Sequence, residues 1–228
     1  MSLRLSIIIP ALNEAATIKE TLDALRAFRE NAEIIVVDGG SVDETILIAR
    51  NCGVSVLQSK GRGRGAQMRE GAKAANGDVL WFLHADTRPA PETIEQMTQA
   101  LENAQTVVGN FTVCFDGDCR GARFLTRLYP QLRKINLFYG DSAIFVRRDV
   151  YEKVSGFRDF PIFEDLDLVR RVKREGQTIH LPARVVTSSR RFENKSFTLV
   201  FLRWTILQVF YWLGVSPHRL VKLYPPHK

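Results

Sequence analysis

The chain contains few cysteines, with only Cys52, Cys114 and Cys119 among its 228 residues. Their odd number and wide spacing fit neither the disulfide framework of a small secreted domain nor a cysteine metal site. The first six residues lead directly into a predicted strand and contain no apolar core of a signal peptide. These absences predict a reduced protein of the cytoplasm.

Acidic residues are fewer than basic ones, with 25 Asp and Glu against 32 Lys and Arg, which gives a net charge of +7. Such an excess is compatible with a phosphorylated ligand, an anionic membrane or a nucleic acid. The basic residues are spread through the predicted helices, whereas a nucleic-acid-binding module gathers them on one face with exposed aromatic side chains. We therefore expect no nucleic acid partner, and keep such a module as an alternative.

The chain also lacks internal repeats and a linker that would separate two independent domains. Short apolar runs predict strands at residues 5–9, 33–37, 54–57 and 79–83. Helical patterns cover residues 13–28, 43–51 and 66–75. Apolar strands alternating with helices are typical of an α/β fold in which both faces of a mostly parallel sheet are covered.

The second half of the chain is less regular. Strands are predicted at residues 106–115, 142–146 and 178–187, and a helix at residues 164–175. A basic, aromatic stretch at residues 120–139 receives no element. Residues 197–215 are apolar, with Arg203 as the one charged side chain.

Carboxylates follow two of the predicted parallel strands. Asp38 and Asp86 each come after an apolar run, at the strand ends where open α/β sheets bind ligands. His84 would point to the same side as Asp86 if the strand continued. A carboxylate at this place suits a divalent cation, which prefers oxygen ligands. The alternative is that Asp86 caps the helix starting near residue 91 and that His84 belongs to the core.

A glycine-rich, basic loop follows the third predicted strand. Gly61, Gly63 and Gly65 allow close backbone approach, and a helix begins directly afterwards. With Arg62, Arg64, Arg69 and Lys73 nearby, the loop suits an anionic group such as a diphosphate. Its partial match to a dinucleotide-binding fingerprint is discounted, because that motif belongs after the first strand of its unit. The alternative is a basic surface loop without a ligand.

Two adjacent acids, Glu164 and Asp165, begin the predicted helix of the second half. The helix dipole favours acids at this position, which is a sufficient structural reason for them. The functional interpretation is a carboxylate base that faces a cleft.

Several motifs occur together in one order. They are Pro10-Ala11-Leu12-Asn13-Glu14, Val36-Val37-Asp38-Gly39-Gly40-Ser41-x-Asp43, Gly77-Asp78 with a strand into Asp86, Gly140-Asp141 with Phe145-Val146-Arg147-Arg148, and Glu164-Asp165. As a set, over residues 4–192, they resemble the inverting family 2 glycosyltransferases of the GT-A fold. The bacterial subgroup with Leu83-His84-Ala85-Asp86-Thr87 and Gly61-Arg62-Gly63 is the most similar.

The resemblance implies a role for each matching residue. The catalytic base would be Asp165, and Glu164 would orient the acceptor. A divalent metal, Mn²⁺ or Mg²⁺, would be bound by Asp86 with His84. The nucleotide-sugar site would comprise Pro10, Asn13, Glu14, Asp38, Gly40, Arg62, Arg64, Gly65, Arg69, Asp141, Arg190 and Arg191. The donor would be a nucleoside-diphosphate sugar, with UDP favoured by family frequency.

The sequence departs from the family pattern in two places. His84 stands where relatives carry an acid, so the metal site has one carboxylate ligand fewer. Residues 187–191 stand where many relatives carry a His or a Gln-x-x-Arg-Trp motif, which argues against a processive polysaccharide synthase. A sugar-nucleotide pyrophosphorylase is an alternative of related fold. It would need a glycine- and arginine-rich loop after the first strand, where Ala11-Leu12-Asn13-Glu14 stands.

The predicted organisation is a GT-A domain at residues 1–192, followed by an apolar and basic helical appendage at residues 193–228. Within the domain, the donor half covers about residues 1–104 and the acceptor half about residues 105–192. The acceptor is an unknown hydroxyl compound, and a lipid-linked one is among the options. The appendage predicts either peripheral contact with the inner face of the plasma membrane or a homodimer contact.

Overall fold

The computed structural model describes residues 3–117, 119–190 and 196–224. The strands in these ranges are β1 (Leu5–Ala11), β2 (Ala32–Asp38), β3 (Ser55–Gln58), β4 (Val79–Phe82), β5 (Thr87–Pro89), β6 (Thr106–Phe115), β7 (Phe145–Arg147) and β8 (Gln177–Thr187). They form one sheet in the order β3-β2-β1-β4-β7-β6-β8-β5.

Helices cover both faces of this sheet. In chain order they are α1 (Ile18–Ala24), α2 (Thr45–Asn51), α3 (Arg64–Ala74), α4 (Thr93–Leu101), α5 (Arg120–Lys134), α6 (Arg148–Lys153), α7 (Glu164–Val172), α8 (Phe197–Trp212) and α9 (Pro217–Leu220). Among the helices of the described ranges, none is both long enough and apolar enough to cross a bilayer.

The sheet is mostly parallel, as predicted, but it contains antiparallel strands. β1 pairs in parallel with β2 and β4, β2 with β3, and β6 with β8. β7 lies antiparallel between β4 and β6, and the short edge strand β5 is antiparallel to β8. The prediction of an α/β fold with a mostly parallel central sheet is confirmed.

Two hydrophobic clusters, one on each face of the sheet, explain why the strands are continuously apolar. Ile7, Trp81 and Phe145 belong to one cluster, while the adjacent Ile8 and Phe82 belong to the other. Neighbouring side chains of a strand point to opposite faces, so a sheet covered on both sides requires apolar residues at every position.

Two local predictions were wrong, and two elements were not predicted. The helix expected from residue 13 begins only at Ile18, because Asn13 adopts a left-handed conformation (φ 55°) and its side chain accepts the backbone N–H of Val42. The strand expected from residue 142 begins at Phe145, after a 3-10 turn at Gly140–Ser142. The stretch at residues 120–139, left without an element, contains α5 in spite of an internal Pro130. Strand β5 was not predicted.

Helix α3 carries the glycine-rich loop to the carboxyl end of the sheet. Its Gly71 lies directly on β1 and β2: an added Cβ atom would be 2.5 Å from Cγ2 of Ile8 and 2.9 Å from Cγ2 of Val37. The absent side chain therefore sets how closely α3 approaches the sheet, and hence where the amino terminus of α3 lies.

We expect Gly71→Ala to lower the free energy of unfolding by about 1 to 3 kcal/mol, because the methyl group must displace two branched core side chains. Urea denaturation monitored by circular dichroism measures this change. Helix propensity alone predicts the opposite sign, since alanine is better than glycine by about 1 kcal/mol inside a helix. A stabilised variant would therefore contradict the close packing.

Candidate active site

The loops after β1 and β2 are locked together at the carboxyl edge of the sheet. The backbone N–H of Asn13 donates to Oγ of Ser41 at 2.8 Å, and Oδ1 of Asn13 accepts the N–H of Val42 at 2.9 Å. Below them, Nε2 of the buried Gln67 donates to the carbonyls of Ala11 at 2.7 Å and Val37 at 2.9 Å. The two loops therefore form one preorganised surface at this edge.

Asp38 is fully buried at the end of β2, and its own loop holds the carboxylate. Oδ2 accepts the backbone N–H of Gly40 at 2.8 Å and that of Ser41 at 3.0 Å. Gly40 has a φ of 98°, a conformation that glycine adopts at little cost and that other residues rarely adopt. The tight turn fixes the position of Asp38 at the carboxyl end of β2.

Arg190 joins two acids of the predicted donor site. Its guanidinium pairs with Glu14 and lies 3.6 Å from Oδ2 of Asp86. Burial lowers the pKa of Arg190, but the hydrogen bond and charge of Glu14 outweigh burial and raise the pKa overall. Arg190, which follows β8, thus forms one charged cluster with Glu14 of the loop after β1 and Asp86 of the segment after β4.

Arg64, the first residue of α3, forms a second cluster. Its Nε is 2.6 Å from Oε1 of Glu164, its Nη2 is 3.9 Å from Oδ2 of Asp165, and its Nη1 is 3.2 Å from Nε2 of His84. Burial lowers the pKa of Arg64, whereas the charges of Glu164, Asp165 and Asp141 raise it and prevail. The glycine-rich loop and the Glu164-Asp165 pair are far apart in sequence but in contact here.

The carboxylate of Asp165 is buried and held by two backbone donors. Oδ2 accepts the N–H of Gly140 at 2.6 Å, and Oδ1 accepts the N–H of Leu166 at 2.8 Å. Burial and the charge of Glu164 raise the pKa of Asp165, against the opposing effect of Arg64. The group is therefore rigid and more basic than an exposed aspartate, as a general base requires.

His84 and Asp141 connect this cluster to α5. Nδ1 of His84 lies 3.4 Å from Oδ1 of Asp141, and the Tyr129 hydroxyl donates to Oδ2 of Asp141 at 3.0 Å. Next to them, Tyr139 donates to Oε1 of Gln208 at 2.8 Å. Burial raises the pKa of Tyr139 to about 12, so its hydroxyl stays a donor at neutral pH.

The structure brings most of the predicted site residues together. Asn13, Glu14 and Asp38 lie in or beside the joined loops after β1 and β2, where Arg190 contacts Glu14 and Asp86, with Gly40 in the turn after Asp38 and Pro10 in β1. Arg64, His84, Asp141, Glu164 and Asp165 form the second cluster, in which Gly65 lies against Glu164. Arg62 is exposed in the loop before α3. Arg191 lies outside the described residues.

Two placements differ from expectation. β4 ends at Phe82, so strand alternation does not align His84 with Asp86, and the nitrogens of His84 lie near Asp141 and Arg64 instead. Arg69 does not join the predicted phosphate site: five residues after Arg64 along a helix, it is turned by about 140°. Its guanidinium lies 3.5 Å from the carbonyl of Phe157.

Sequence reasoning missed three supporting residues: Gln67, Tyr129 and Tyr139. None of them belongs to a recognisable motif. Gln67 lies two residues after Gly65, and a glutamine among the small and apolar side chains there is a usable signal. The two tyrosines belong to residues 120–139, where no element was predicted.

The side chains of the site offer few ligands to a divalent cation. Within the described ranges, no group of three His, Cys, Asp or Glu side chains converges in a way that could hold a metal. Asp86 is partly exposed and lies beside Arg190. A cation that binds a nucleotide diphosphate commonly uses one or two carboxylates and completes its shell with phosphate oxygens and water. Asp86 fits that arrangement, whereas the contacts of His84 do not support it as a second ligand.

The fold is that of the GT-A glycosyltransferases. A mannosyltransferase of Pyrobaculum calidifontis, solved with GDP-Man and Mn²⁺, superposes with a TM-score of 0.67 at 22% identity, over 82% of this chain and 57% of that one. Glucosyl-3-phosphoglycerate synthase of Mycobacterium tuberculosis, solved with Mn²⁺, UDP and glucosyl-3-phosphoglycerate, gives 0.69 at 19% identity, over 94% and 81%.

The chain belongs to glycosyl transferase family 2, whose model matches residues 6–155. It is 27% identical over 216 residues to the probable glycosyltransferase YdaM of Bacillus subtilis (strain 168), covering 81% of this chain and 50% of that protein. It is 30% identical over 115 residues to undecaprenyl-phosphate 4-deoxy-4-formamido-L-arabinose transferase of Aeromonas hydrophila, covering 46% and 35%. The chain thus spans at most half the length of these relatives. The family match favours glycosyl transfer over the pyrophosphorylase and nucleic-acid-binding alternatives.

We expect Arg64→Gln to lower the free energy of unfolding by about 3 kcal/mol, because Glu164 would remain buried without its countercharge. This loss is at the low end of the usual range for a buried ion pair. A third of the Arg64 side chain is exposed, so water can partly replace the lost charge beside Glu164. Urea denaturation measures the change.

The matched control is Arg62→Gln, which removes the same charge from an exposed position of the same loop. Its effect should stay within about 0.5 kcal/mol. Equal destabilisation by both substitutions would contradict the assigned ion pair.

Proposed function

We propose that the protein is an inverting glycosyltransferase that moves a sugar from a nucleoside-diphosphate sugar, with UDP favoured, to a hydroxyl of its acceptor. The observation that carries this proposal is the environment of Asp165: a buried, rigid carboxylate with a raised pKa, in contact through Arg64 with the loop that leads into α3. Membership of glycosyl transferase family 2 and the GT-A fold support it.

The nucleoside would bind over the joined loops after β1 and β2. The carboxylates of Glu14 and Asp38 accept hydrogen bonds, so they suit ribose hydroxyls or a base N–H. Because the turn at Gly40 and the Asn13 contacts already hold these loops, little ordering is needed on binding.

The diphosphate would bind between Arg64 and Arg190, at the amino terminus of α3. Backbone N–H groups at a helix start favour anions, and guanidinium groups match phosphate oxygens in geometry and charge. Both arginines are held by carboxylates, Arg64 by Glu164 and Arg190 by Glu14. Exposed Arg62 lies close enough in sequence to add to the same site.

A divalent metal would be held by Asp86, the acid that best fits such a role. When bound, it would supply charge that stabilises the leaving diphosphate. Arg64 and Arg190 would supply the remaining leaving-group stabilisation.

In the transfer step, Asp165 would accept the proton of the acceptor hydroxyl as its oxygen attacks the anomeric carbon from the face opposite the diphosphate. The C–O bond to the diphosphate breaks, and the configuration inverts. The Gly140 and Leu166 N–H groups keep the carboxylate in place. Glu164, paired with Arg64, would couple the base to the donor side and orient the acceptor.

We expect Asp165→Asn to bind the nucleotide sugar normally and to turn over about 10² to 10⁴ times more slowly, since loss of a general base has effects of this size. Isothermal titration with UDP-sugars measures binding, and a coupled assay of UDP release, with an acceptor found by screening, measures turnover. Asp159→Asn is the matched control, because Asp159 is an exposed acid shortly before the same helix. Near-native turnover of the Asp165 variant would place the base elsewhere.

The pH dependence of the wild-type rate tests the same assignment. The base must be deprotonated, so activity should fall as the pH decreases through the pKa of Asp165. Burial and the neighbouring Glu164 raise that pKa, with Arg64 opposing them, so the fall should occur above the ordinary range of an aspartate. An acid limb at an ordinary aspartate pKa would count against Asp165.

We expect Asp86→Asn to abolish the Mn²⁺-dependent part of UDP binding while the fold stays intact. A thermal-shift titration of UDP with and without MnCl₂ measures this, because saturation at 100 times the dissociation constant stabilises by about 2.7 kcal/mol. Asp78→Asn is the control, since Asp78 lies just before β4, at the opposite end of that strand. An unchanged metal response in the Asp86 variant would refute the assignment.

A further inference from the structure

The outward face of α8 is apolar and exposed. Leu199, Leu202, Ile206 and Phe210 follow one another at helical spacing, and Leu213 continues the row beyond the helix. Their exposed fractions range from 41% for Phe210 to 74% for Leu213. A continuous row of large apolar side chains of this kind marks a surface that binds something.

The opposite side of α8 is packed on the catalytic domain. Leu207 and Gln208 are buried, and Phe163, which precedes α7, stacks on Tyr211 at 4.9 Å between ring centroids. Phe163 also contacts the ring of Trp204 at 5.9 Å. The domain therefore holds the helix along one side and leaves the apolar row facing outward.

Helix α5 extends the exposed face beside α8. The Phe124 ring, 45% exposed, contacts the rings of Phe197 and Phe201 at 5.7 and 5.5 Å. Exposed Arg123 is next to it on the same helix, and exposed Arg120 and Arg127 lie within one turn. We call the outward surface of α5, α8 and α9 the α5–α8 face.

Charge on the α5–α8 face has one sign. Residues 120–134 and 196–224 contain no Asp or Glu. Their exposed basic side chains are Arg120, Arg123, Arg127, Lys134, Arg203, Arg219 and Lys222. Apolar side chains flanked by arginine and lysine are the composition of helices that lie in the plane of an anionic membrane surface.

A second copy of the chain fits this face poorly. A two-fold symmetric contact places the same patch on both subunits, so the basic side chains would face one another without acids between them. Anionic lipid headgroups supply the missing negative charge, and the acyl region covers the apolar row. We propose that the α5–α8 face docks on an anionic lipid bilayer.

Docking would bring the bilayer close to the proposed catalytic base. Phe163, which stacks on α8, is two residues before Asp165, and Tyr139, bonded to Gln208 of α8, precedes the Gly140 that holds the Asp165 carboxylate. If the protein is the proposed glycosyltransferase, the acceptor hydroxyl belongs to an amphipathic molecule of the membrane surface.

The test is sedimentation of the full chain with vesicles of phosphatidylcholine alone or mixed with phosphatidylglycerol. We expect at least about tenfold more protein on the anionic vesicles, with the difference decreasing as salt is raised, because each basic residue near such a surface contributes to binding. Absence of binding by the wild-type chain, or equal binding to both vesicle types, would overturn the proposal.

A matched pair of double variants locates the contact. Leu199→Glu with Ile206→Glu adds two acids to the α5–α8 face and should abolish vesicle binding. Val42→Glu with Leu47→Glu adds the same charge at exposed apolar positions of the loop before α2 and of α2 itself, and should preserve most of it. All four side chains are exposed, and circular dichroism checks that both proteins fold. Equal loss in both variants would show only a net-charge effect and overturn the location.

A third variant, Arg123→Gln with Arg127→Gln, keeps the apolar row and removes charge, so it should weaken binding to anionic vesicles without changing the thermal midpoint.

Light scattering reports the oligomeric state of every variant. A wild-type dimer that the face variants dissociate, without vesicle binding, would overturn the proposal in favour of a second copy. Because vesicle binding requires no nucleotide sugar, its outcome is independent of whether Asp165 is the base.

Discussion

The guanidinium of Arg64 joins the two halves of the molecule, and the candidate site is organised around it. Arg64 begins α3, which rests on β1 and β2 through Gly71, while its partners Glu164 and Asp165 begin α7. Two adjacent carboxylates with little exposure to water are costly unless a cation shares their environment. The helix that carries the glycine-rich loop and the helix that carries the acids therefore depend on each other for their charge balance.

Strained backbone is found around the same site. Asn13, Ala143 and Phe163 have positive φ angles without being glycine. Asn13 shapes the loop after β1, Ala143 ends the turn that holds Gly140, and Phe163 precedes the two acids of α7. Residues of this kind cost free energy and persist only where the surrounding contacts hold them, which is common at functional sites. Here those contacts are hydrogen bonds between loops and the aromatic packing of Phe163 against α8.

The site and the α5–α8 face are linked through that aromatic packing. Phe163 separates the acids of α7 from Tyr211, and Tyr139 separates the turn at Gly140 from Gln208. A change in the position of α8 therefore reaches Asp165 through one layer of side chains. This proximity gives a physical reason for an apolar and basic helix next to the proposed sugar-nucleotide site.

Local patterns of the sequence predict the α/β class, the parallel strands of the first half and the acids that follow two of them. Apolar runs and helical periodicity are signals carried by neighbouring residues. An acid that directly follows an apolar run is recognised in the same way. Asp38 and Asp86 were found in this way, whereas the role of Asp165 and most of the other candidate residues came from the motifs that resemble family 2 glycosyltransferases. The sequence alone could not show that Arg64 pairs with Glu164, 100 residues away. Nor could it show that the Arg69 side chain contacts the carbonyl of Phe157 instead of the candidate site. It also could not show that β7 lies antiparallel between β4 and β6. These points depend on the folded structure, because long-range pairing and the direction of a side chain are set by how the helices pack on the sheet.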